Sequence, residues 1–233
     1  MNREESFNTS TQMLCLWSGP IGIGLWMIGF VFAAGFIVPP PPGNSASEIA
    51  QLYAENLSGI RIGLLLTMIG ATLTAPMVAS ITAQMKRIEG RYSPLSYTQL
   101  GLGMSGILLF IIPVMNMQAA AFRPERDVEL IRLANDLGWI PFVGVWSMAA
   151  LQNLAIAVSA FQDKTGRVFP RWVGYFNVWT ALLYCPGSLL YFFKQGPFAW
   201  NGLLSWWLVV AVFCTWFIVM FFVVRKAILT QSD

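Results

Sequence analysis

The feature that most restricts the fold of this chain is a series of six apolar runs that contain no charged residue. An α-helix rises about 1.5 Å per residue and needs about 20 apolar residues to cross roughly 30 Å of hydrocarbon. A segment in lipid must satisfy its own backbone hydrogen bonds, which favours helices for runs of this length. The runs cover residues 15–38, 62–83, 97–121, 137–161, 172–193 and 203–224. The sequence therefore predicts an all-α, polytopic transmembrane bundle of about six spans.

Composition supports the same class. Of 233 residues, 56% are hydrophobic and 11% are charged, whereas soluble domains carry about 25% charged residues. The segments between the runs are too short for a separate soluble domain, so we predict one transmembrane domain over residues 1–233. The net charge of +3 is divided among short clusters between the runs, which is typical of topology signals and does not indicate a nucleic-acid partner.

The basic residues predict the orientation. Nine of them lie before the first run, in the second and fourth connections, or after the last run, and five lie in the other connections. Because lysine and arginine concentrate on the cytoplasmic side, we predict a multi-pass protein of the plasma (inner) membrane with both termini cytoplasmic. The nine are Arg3, Lys86, Arg87, Arg91, Lys164, Arg167, Arg171, Arg225 and Lys226, and the five are Arg61, Arg123, Arg126, Arg132 and Lys194.

Two connections share a G-R-x-x-P pattern, at residues 90–94 and 166–170. The longer connections on the other side also match, at Asn56 and Asn135. A unit of two spans has an even number of crossings, so its copies would run the same way through the membrane. The pattern predicts parallel repeats over residues 15–95 and 97–171, with an abbreviated third copy over 172–226. The alternative is that glycine, arginine and proline recur because turns and orientation need them.

Each long outer connection is predicted to hold a short amphipathic helix on the membrane surface. In the first, Ser45 and Glu48 form an S-x-x-E capping box ahead of Ile49. In the second, apolar residues recur at helical spacing between Pro124 and Ala134. The two helices would either form a lid over the outer end of the bundle or only connect the spans.

Several kinds of chemistry are missing. The chain has no histidine, and its three cysteines, Cys15, Cys185 and Cys214, are scattered through apolar runs. We therefore predict no metal site and no cofactor. No charged residue lies deep in a run, which disfavours proton-coupled transport. Three prolines, Pro76, Pro113 and Pro186, predict kinks that would open space between helices.

Uncharged polar residues at membrane depth are the candidate site residues, together with deep tryptophans. Buried amides need partners, so Gln152, Asn153 and Asn177 should face the bundle interior. The polar residues either line a pocket for a mostly apolar ligand or join helices by hydrogen bonds, which is the more common role. The tryptophans either pack against a flat ligand or only fill the core. The candidates are Asn116, Gln118, Gln152, Asn153, Asn177, Thr180, Tyr184, Trp146 and Trp179.

Three functions compete. The first is non-catalytic binding or passage of a hydrophobic small molecule or lipid. The second is an accessory or scaffold subunit of a larger complex, with membrane-protein partners or further copies of the chain against its apolar faces. The third is a membrane enzyme that uses polar groups of the outer connections; it is disfavoured because the sequence offers no pair of nucleophile and base.

Overall fold

The computed structural model describes residues 3–231, with side chains from residue 8 onward. The terminal residues of the predicted domain, 1–2 and 232–233, lie outside the described residues. Within residues 3–231 all regular elements are helical. The helices are α1 (Arg3–Trp26), α2 (Ala46–Glu55), α3 (Leu57–Leu73), α4 (Ala75–Glu89), α5 (Pro94–Phe122), α6 (Val128–Gly144), α7 (Ser147–Gln162), α8 (Arg171–Tyr184) and α9 (Leu208–Leu229), with π-helical segments at Met27–Ala33 and Leu203–Trp207 and 3₁₀ segments at Cys185–Tyr191 and Gly196–Phe198.

Five helical segments of the described chain are long and apolar enough to cross a membrane. They are Asn8–Ala33, Leu57–Glu89, Pro94–Phe122, Val128–Gln162 and Gly196–Leu229. The sixth predicted run, 172–193, is shorter as an α-helix, because α8 ends at Tyr184 and the chain continues through Pro186 as a 3₁₀ helix. Proline lacks the N–H that would continue the α-helical bonding. The transmembrane helical bundle is thus supported, and a sixth span stays a prediction.

Consecutive segments are neighbours around a closed ring. Helix α1 packs against α3 and α4, α5 packs against α3, α4, α6 and α7, and α8 packs against α7. Helix α9 contacts both α8 and α1, which closes the ring. We call the end of the ring that carries α2 the α2 end, and the end that carries the two G-R-x-x-P connections the loop end.

Glycines allow α1 and α3 to approach each other closely. Gly22 of α1 faces Gly70 of α3. Gly29, in the π-helical segment that continues α1, faces Gly63 of α3. A Cβ atom on Gly70 would lie 2.5 Å from the carbonyl oxygen of Gly22 and 2.7 Å from the backbone nitrogen of Trp26. Each pair is seven residues from the next, or about two helical turns, so both pairs lie on one contact line.

The predicted capping box forms. The Ser45 hydroxyl accepts a hydrogen bond from the Glu48 N–H at 3.3 Å, and the Glu48 carboxylate accepts one from the Ser45 N–H at 2.7 Å. The hydrogen bonds from Ser45 lower the pKa of Glu48. Helix α2 begins there and packs against α6, where the Tyr53 hydroxyl donates to Asn135 Oδ1 at 3.3 Å.

The second predicted surface helix is not a separate helix. Its residues form the first turns of α6, which continues without interruption to Gly144. Asp127 caps this helix by accepting from the Glu129 N–H at 2.8 Å, and the helix continues through Gly138 and Pro141. The prediction of two short helices is therefore correct for α2 and wrong for the stretch from Pro124 to Ala134.

The two G-R-x-x-P connections adopt similar local structures. Gly90 and Gly166 both have positive φ, at 79° and 62°, a conformation that side chains disfavour. In each, a carboxylate just before the glycine accepts backbone N–H groups beyond it. Glu89 accepts from Leu95 at 2.9 Å, and Asp163 accepts from Phe169 at 3.0 Å. This local similarity favours the predicted repeat without testing the superposition of its copies.

Candidate functional site

A cavity of about 150 Å³ lies at the centre of the ring. All six predicted apolar runs contribute to its wall, and the wall contains no charged side chain. Three breaks in helices border it: Thr74 between α3 and α4, Val145 and Trp146 between α6 and α7, and Tyr184 at the end of α8. Irregular backbone at membrane depth is tolerated where protein covers it or where it lines a cavity. Two of the three predicted prolines, Pro76 and Pro186, lie beside such breaks, whereas α5 continues through Pro113.

Two adjacent amides form the polar part of the wall. Gln152 and Asn153 of α7 are 9% and 2% exposed and line the cavity. Neither side chain makes a hydrogen bond to any other residue that the structure describes. Gly103 of α5 leaves room for one of them, since a Cβ atom there would lie 2.9 Å from Gln152 Nε2. These amides therefore face the cavity and do not join helices.

Further polar groups without partners border the same space. The Tyr184 hydroxyl makes no hydrogen bond to the part of the chain whose side chains are described, residues 8–231, and this side chain is 5% exposed. The Trp26 Nε1–H is buried without a partner there too. Most buried polar groups in proteins are hydrogen-bonded. Several unpaired groups around one cavity therefore point to a ligand or to water as their partner.

Helix α7 begins at the cavity wall. Its first turn contains Ser147, Met148 and Ala149, whose N–H groups bond to no backbone carbonyl in the described chain. The first hydrogen bond at this end runs from Ala150 N to Trp146 O at 3.0 Å. A helix N-terminus carries unpaired N–H donors and a partial positive charge.

Aromatic rings cover much of the remaining wall. Trp26, Phe110 and Phe213 contact one another, with ring centroids 5.5 to 6.4 Å apart. Trp146, Trp216 and Phe217 also line the cavity. The arrangement offers a ligand flat apolar surfaces together with a few polar atoms, which is the usual composition of small-molecule sites.

Asn177 and Thr180 lie behind the wall. Asn177 is fully buried, donates to the Val173 carbonyl at 2.9 Å, and accepts from Trp216 Nε1 at 2.9 Å. Because Trp216 lines the cavity, Asn177 holds part of the wall in place. Thr180 donates to the Phe176 carbonyl of its own helix at 2.9 Å.

Three other predicted residues lie away from the cavity. Asn116 donates to the Leu137 carbonyl of α6 at 3.3 Å, and Gln118 donates to the Arg61 carbonyl of α3 at 2.8 Å. Both amides therefore join helices. Trp179 is 64% exposed, because two residues after Asn177 correspond to about 200° of rotation, the opposite face of α8. Of the nine predicted residues, Gln152, Asn153, Tyr184 and Trp146 line the cavity.

Gly103 and Gly106 of α5 line the cavity and were not predicted from the sequence. A Cβ atom on Gly106 would meet no atom within 4 Å, so this glycine borders open space. Two glycines three residues apart in the middle of a span were a signal for one small-residue face. The facing residues Phe110 and Phe213 carried no such signal, because phenylalanine is common in every apolar run.

The cavity is closed towards the α2 end by packed aromatic rings. Phe142 lines the cavity and contacts Phe30, Trp139 and Trp206 of this cluster, with centroids 5.2 to 6.3 Å apart. Two indole N–H groups bind the segment between α1 and α2 at this end. Trp200 donates to the Pro40 carbonyl at 2.7 Å, and Trp206 donates to the Ile37 carbonyl at 2.9 Å.

At the loop end, side-chain hydrogen bonds join α1 and α4 to α9 and to Gln231 just after it. Gln84 donates to Gln12 at 2.5 Å, Gln12 donates to Gln231 at 3.3 Å, and Arg87 donates to the Ala227 carbonyl at 2.9 Å. A second apolar core, which includes Trp216 of the cavity wall, lies on this side. The cavity thus lies between two packed regions.

Among the described side chains, residues 8–231, no three cysteines, aspartates or glutamates come together as metal ligands. Compared with known proteins, the chain matches no family model, no curated protein and no solved structure.

Proposed function

We propose that this protein binds an uncharged, mostly apolar small molecule, or the uncharged part of a lipid, in the cavity at the centre of its helix ring. The observation that carries the proposal is the composition of the cavity wall, which draws on all six apolar runs and has no charged side chain. Because burying an unpaired charge in such a site is costly, the ligand that we propose is uncharged. The proposed function is binding or passage of this ligand, and not catalysis.

The size of the cavity limits the ligand. Its volume of about 150 Å³ is similar to that of engineered protein cavities that hold benzene. A molecule with one ring, or one segment of a longer lipid, would fill it. Both ends of the ring are packed, so passage of the ligand would require one end to open.

The proposal includes a topology. Helix α8 and its 3₁₀ continuation would form the sixth span, with both termini cytoplasmic and the bundle in the plasma membrane. The α2 end then faces outward, and α2 serves as part of a lid. We also propose that residues 15–95 and 97–171 are parallel repeats, related by a rotation about an axis close to the membrane normal.

Filling the cavity tests the binding function. The variant Gly106→Leu places a side chain where a Cβ meets no atom, so it should occupy the cavity and leave the helices in place. The matched control is Gly101→Leu in the same helix, where a Cβ also meets no atom but the residue does not line the cavity. Leucine favours helix over glycine in both. Fluorine NMR of para-fluorotoluene with the protein in lipid nanodiscs would measure binding.

We expect wild-type protein and Gly101→Leu to bind para-fluorotoluene, and Gly106→Leu to lose at least ten-fold in affinity while its melting temperature stays equal or rises. The charged analogue para-fluorobenzoate should not bind any of the three. The cavity is not a ligand site if wild-type protein binds neither probe, or if Gly106→Leu binds para-fluorotoluene as well as Gly101→Leu does. Either result would favour the accessory-subunit hypothesis.

A further inference from the structure

We infer that the ligand of the central cavity is a neutral ring compound with a carbonyl or similar hydrogen-bond-accepting oxygen, and that this oxygen binds at the start of α7 beside Gln152. This inference rests on the proposed function of the cavity and adds the chemical class of the ligand. It depends on the unpaired polar groups of the wall, which a purely apolar ligand would leave unsatisfied.

Two amides in the cavity wall have no hydrogen-bond partner among the described residues. Gln152 and Asn153 are at least nine-tenths buried and line the cavity, and neither has a hydrogen-bond partner in the described chain. A buried polar group without a partner loses its hydrogen bonds to water and gains none in return. Other buried amides of the described chain make at least one side-chain hydrogen bond: Asn177 accepts from Trp216 at 2.9 Å, and Gln99 accepts from Thr82 at 2.6 Å, although its Nε2 has no partner. Gln152 and Asn153 differ from these amides because their side chains make no hydrogen bond in the described chain.

The cavity wall near the start of α7 has hydrogen-bond donors that are unpaired in the described chain. The first turn of α7 contains the N–H groups of Ser147, Met148 and Ala149, none of which bonds to a backbone carbonyl within residues 3–231; of these residues, Ala149 lines the cavity. Each amide adds two N–H donors and a carbonyl oxygen with two lone pairs, so the amides themselves are balanced, and the extra donors are the Ala149 N–H and the Trp26 Nε1–H. The positive end of the α7 dipole points the same way. A ligand oxygen that accepts hydrogen bonds complements this arrangement.

The composition of the cavity wall excludes a charged ligand and favours a ligand with a flat ring. A carboxylate ligand would need a basic partner, and an ammonium ligand would need an acidic one, but no charged side chain lines the cavity. Trp26, Phe110 and Phe213 contact one another in the wall. Aromatic side chains pack well against a flat ring by stacked or edge-to-face contacts. A neutral aromatic or conjugated ketone has these properties.

Two probes of equal shape separate the oxygen from the ring. In para-fluoroacetophenone a carbonyl oxygen stands where para-fluoroisopropenylbenzene has a methylene group. Fluorine NMR in nanodiscs would give the affinity of each probe relative to its concentration in the bilayer. One or two good hydrogen bonds correspond to about ten-fold in affinity, so wild-type protein should prefer the ketone by about ten-fold.

The variants assign that preference to the start of α7. Gln152→Leu should reduce the preference for the ketone to about two-fold or less while it keeps binding of the apolar probe. Gln118→Leu makes the same chemical change outside the cavity, where the amide bonds to the Arg61 carbonyl, and should keep the full preference. If Gln152→Leu does not fold, Asn153→Leu provides the same measurement from the neighbouring position.

The outcomes separate the two proposals. If neither probe binds to wild-type protein, the cavity is not a ligand site and the proposed function fails. If both probes bind equally and Gly106→Leu abolishes both, the cavity binds ligands but has no preference for an oxygen, and the inference is wrong. A preference that survives both Gln152→Leu and Asn153→Leu would also contradict it.

Discussion

Asp163 holds the backbone of the loop that joins α7 to α8. Its Oδ1 accepts from the N–H groups of Thr165 at 3.0 Å and Gly166 at 2.9 Å, and its Oδ2 accepts from those of Val168 at 2.9 Å and Phe169 at 3.0 Å. Burial raises the pKa of Asp163, but the hydrogen bonds from Thr165, Phe169 and Val168 outweigh this effect and leave the pKa below its ordinary value. The charged carboxylate is therefore favoured by the folded loop.

This residue predicts a dependence of stability on pH. Because the folded pKa lies below the unfolded pKa, the carboxylate stabilises the fold above its ordinary pKa, and this contribution is lost as pH falls through the folded pKa. Asp163→Asn should lower the free energy of unfolding by about 1–2 kcal/mol at neutral pH, and the difference should shrink as pH falls below the ordinary pKa of aspartate and through the lower folded pKa. Thermal unfolding in detergent would measure it. The control is Glu125→Gln, which makes the same chemical change at an exposed carboxylate and should leave stability unchanged. An effect of Asp163→Asn that does not depend on pH would contradict the prediction.

At the residue scale, the amides also show why burial alone does not assign a role. Gln152, Asn153 and Asn177 are all buried, as the sequence predicts. Only Asn177 bonds to another helix, through Trp216. The first two face a cavity, and this difference depends on which neighbours each helix face meets.

At the scale of elements, the contact between α1 and α3 depends on glycine. Gly22 and Gly29 approach Gly70 and Gly63 so closely that a Cβ atom on any of the four would overlap backbone atoms of the other helix. Small residues at helix contacts let backbones pack closely in membranes. Trp26, which lines the cavity, lies on the same contact line next to Gly70.

This contact makes one glycine substitution costly and another harmless. Gly70→Ala should destabilise the protein by about 1–3 kcal/mol, because the helices must separate to admit a methyl group. Gly24→Ala in α1 meets no atom within 4 Å and should be neutral or stabilising by up to about 1 kcal/mol through helix propensity. Melting temperatures of the two variants in the same detergent provide the comparison. Equal stability of the two would show that α1 and α3 are not in close contact.

At the scale of the whole molecule, the ring places α2 at one end and both G-R-x-x-P connections at the other. Basic residues such as Lys86, Arg91 and Arg167 lie at the loop end. The distribution of lysine and arginine predicts that this end is cytoplasmic.

Cysteine labelling tests that orientation. In a variant whose three native cysteines are replaced by alanine, a cysteine at Asn44 or Glu125 should react in intact cells with a maleimide that does not cross membranes. A cysteine at Arg91 or Lys164 should react only after the cells are permeabilised. These two positions are preferable to the neighbouring Gly90 and Gly166, whose positive φ disfavours a side chain. The reverse labelling pattern would overturn the topology.

The sequence by itself determined the class of this fold and some local features. Long uncharged runs must become helices in lipid because their backbone groups have no other partners. The capping box at Ser45 and Glu48 acts within four residues, so its outcome followed from the sequence. The interior position of the three amides followed from the cost of exposing them to lipid.

Only the tertiary structure decided which residues surround the cavity. Asn177 finds its partner Trp216 39 residues away, and Gln152 faces a space bordered by Gly103 of another helix. The stretch after Pro124 joins α6, which continues through Gly138 and Pro141, instead of forming its own helix. These outcomes depend on how each helix is rotated against its neighbours, and helix rotation is set by side chains that are distant in sequence.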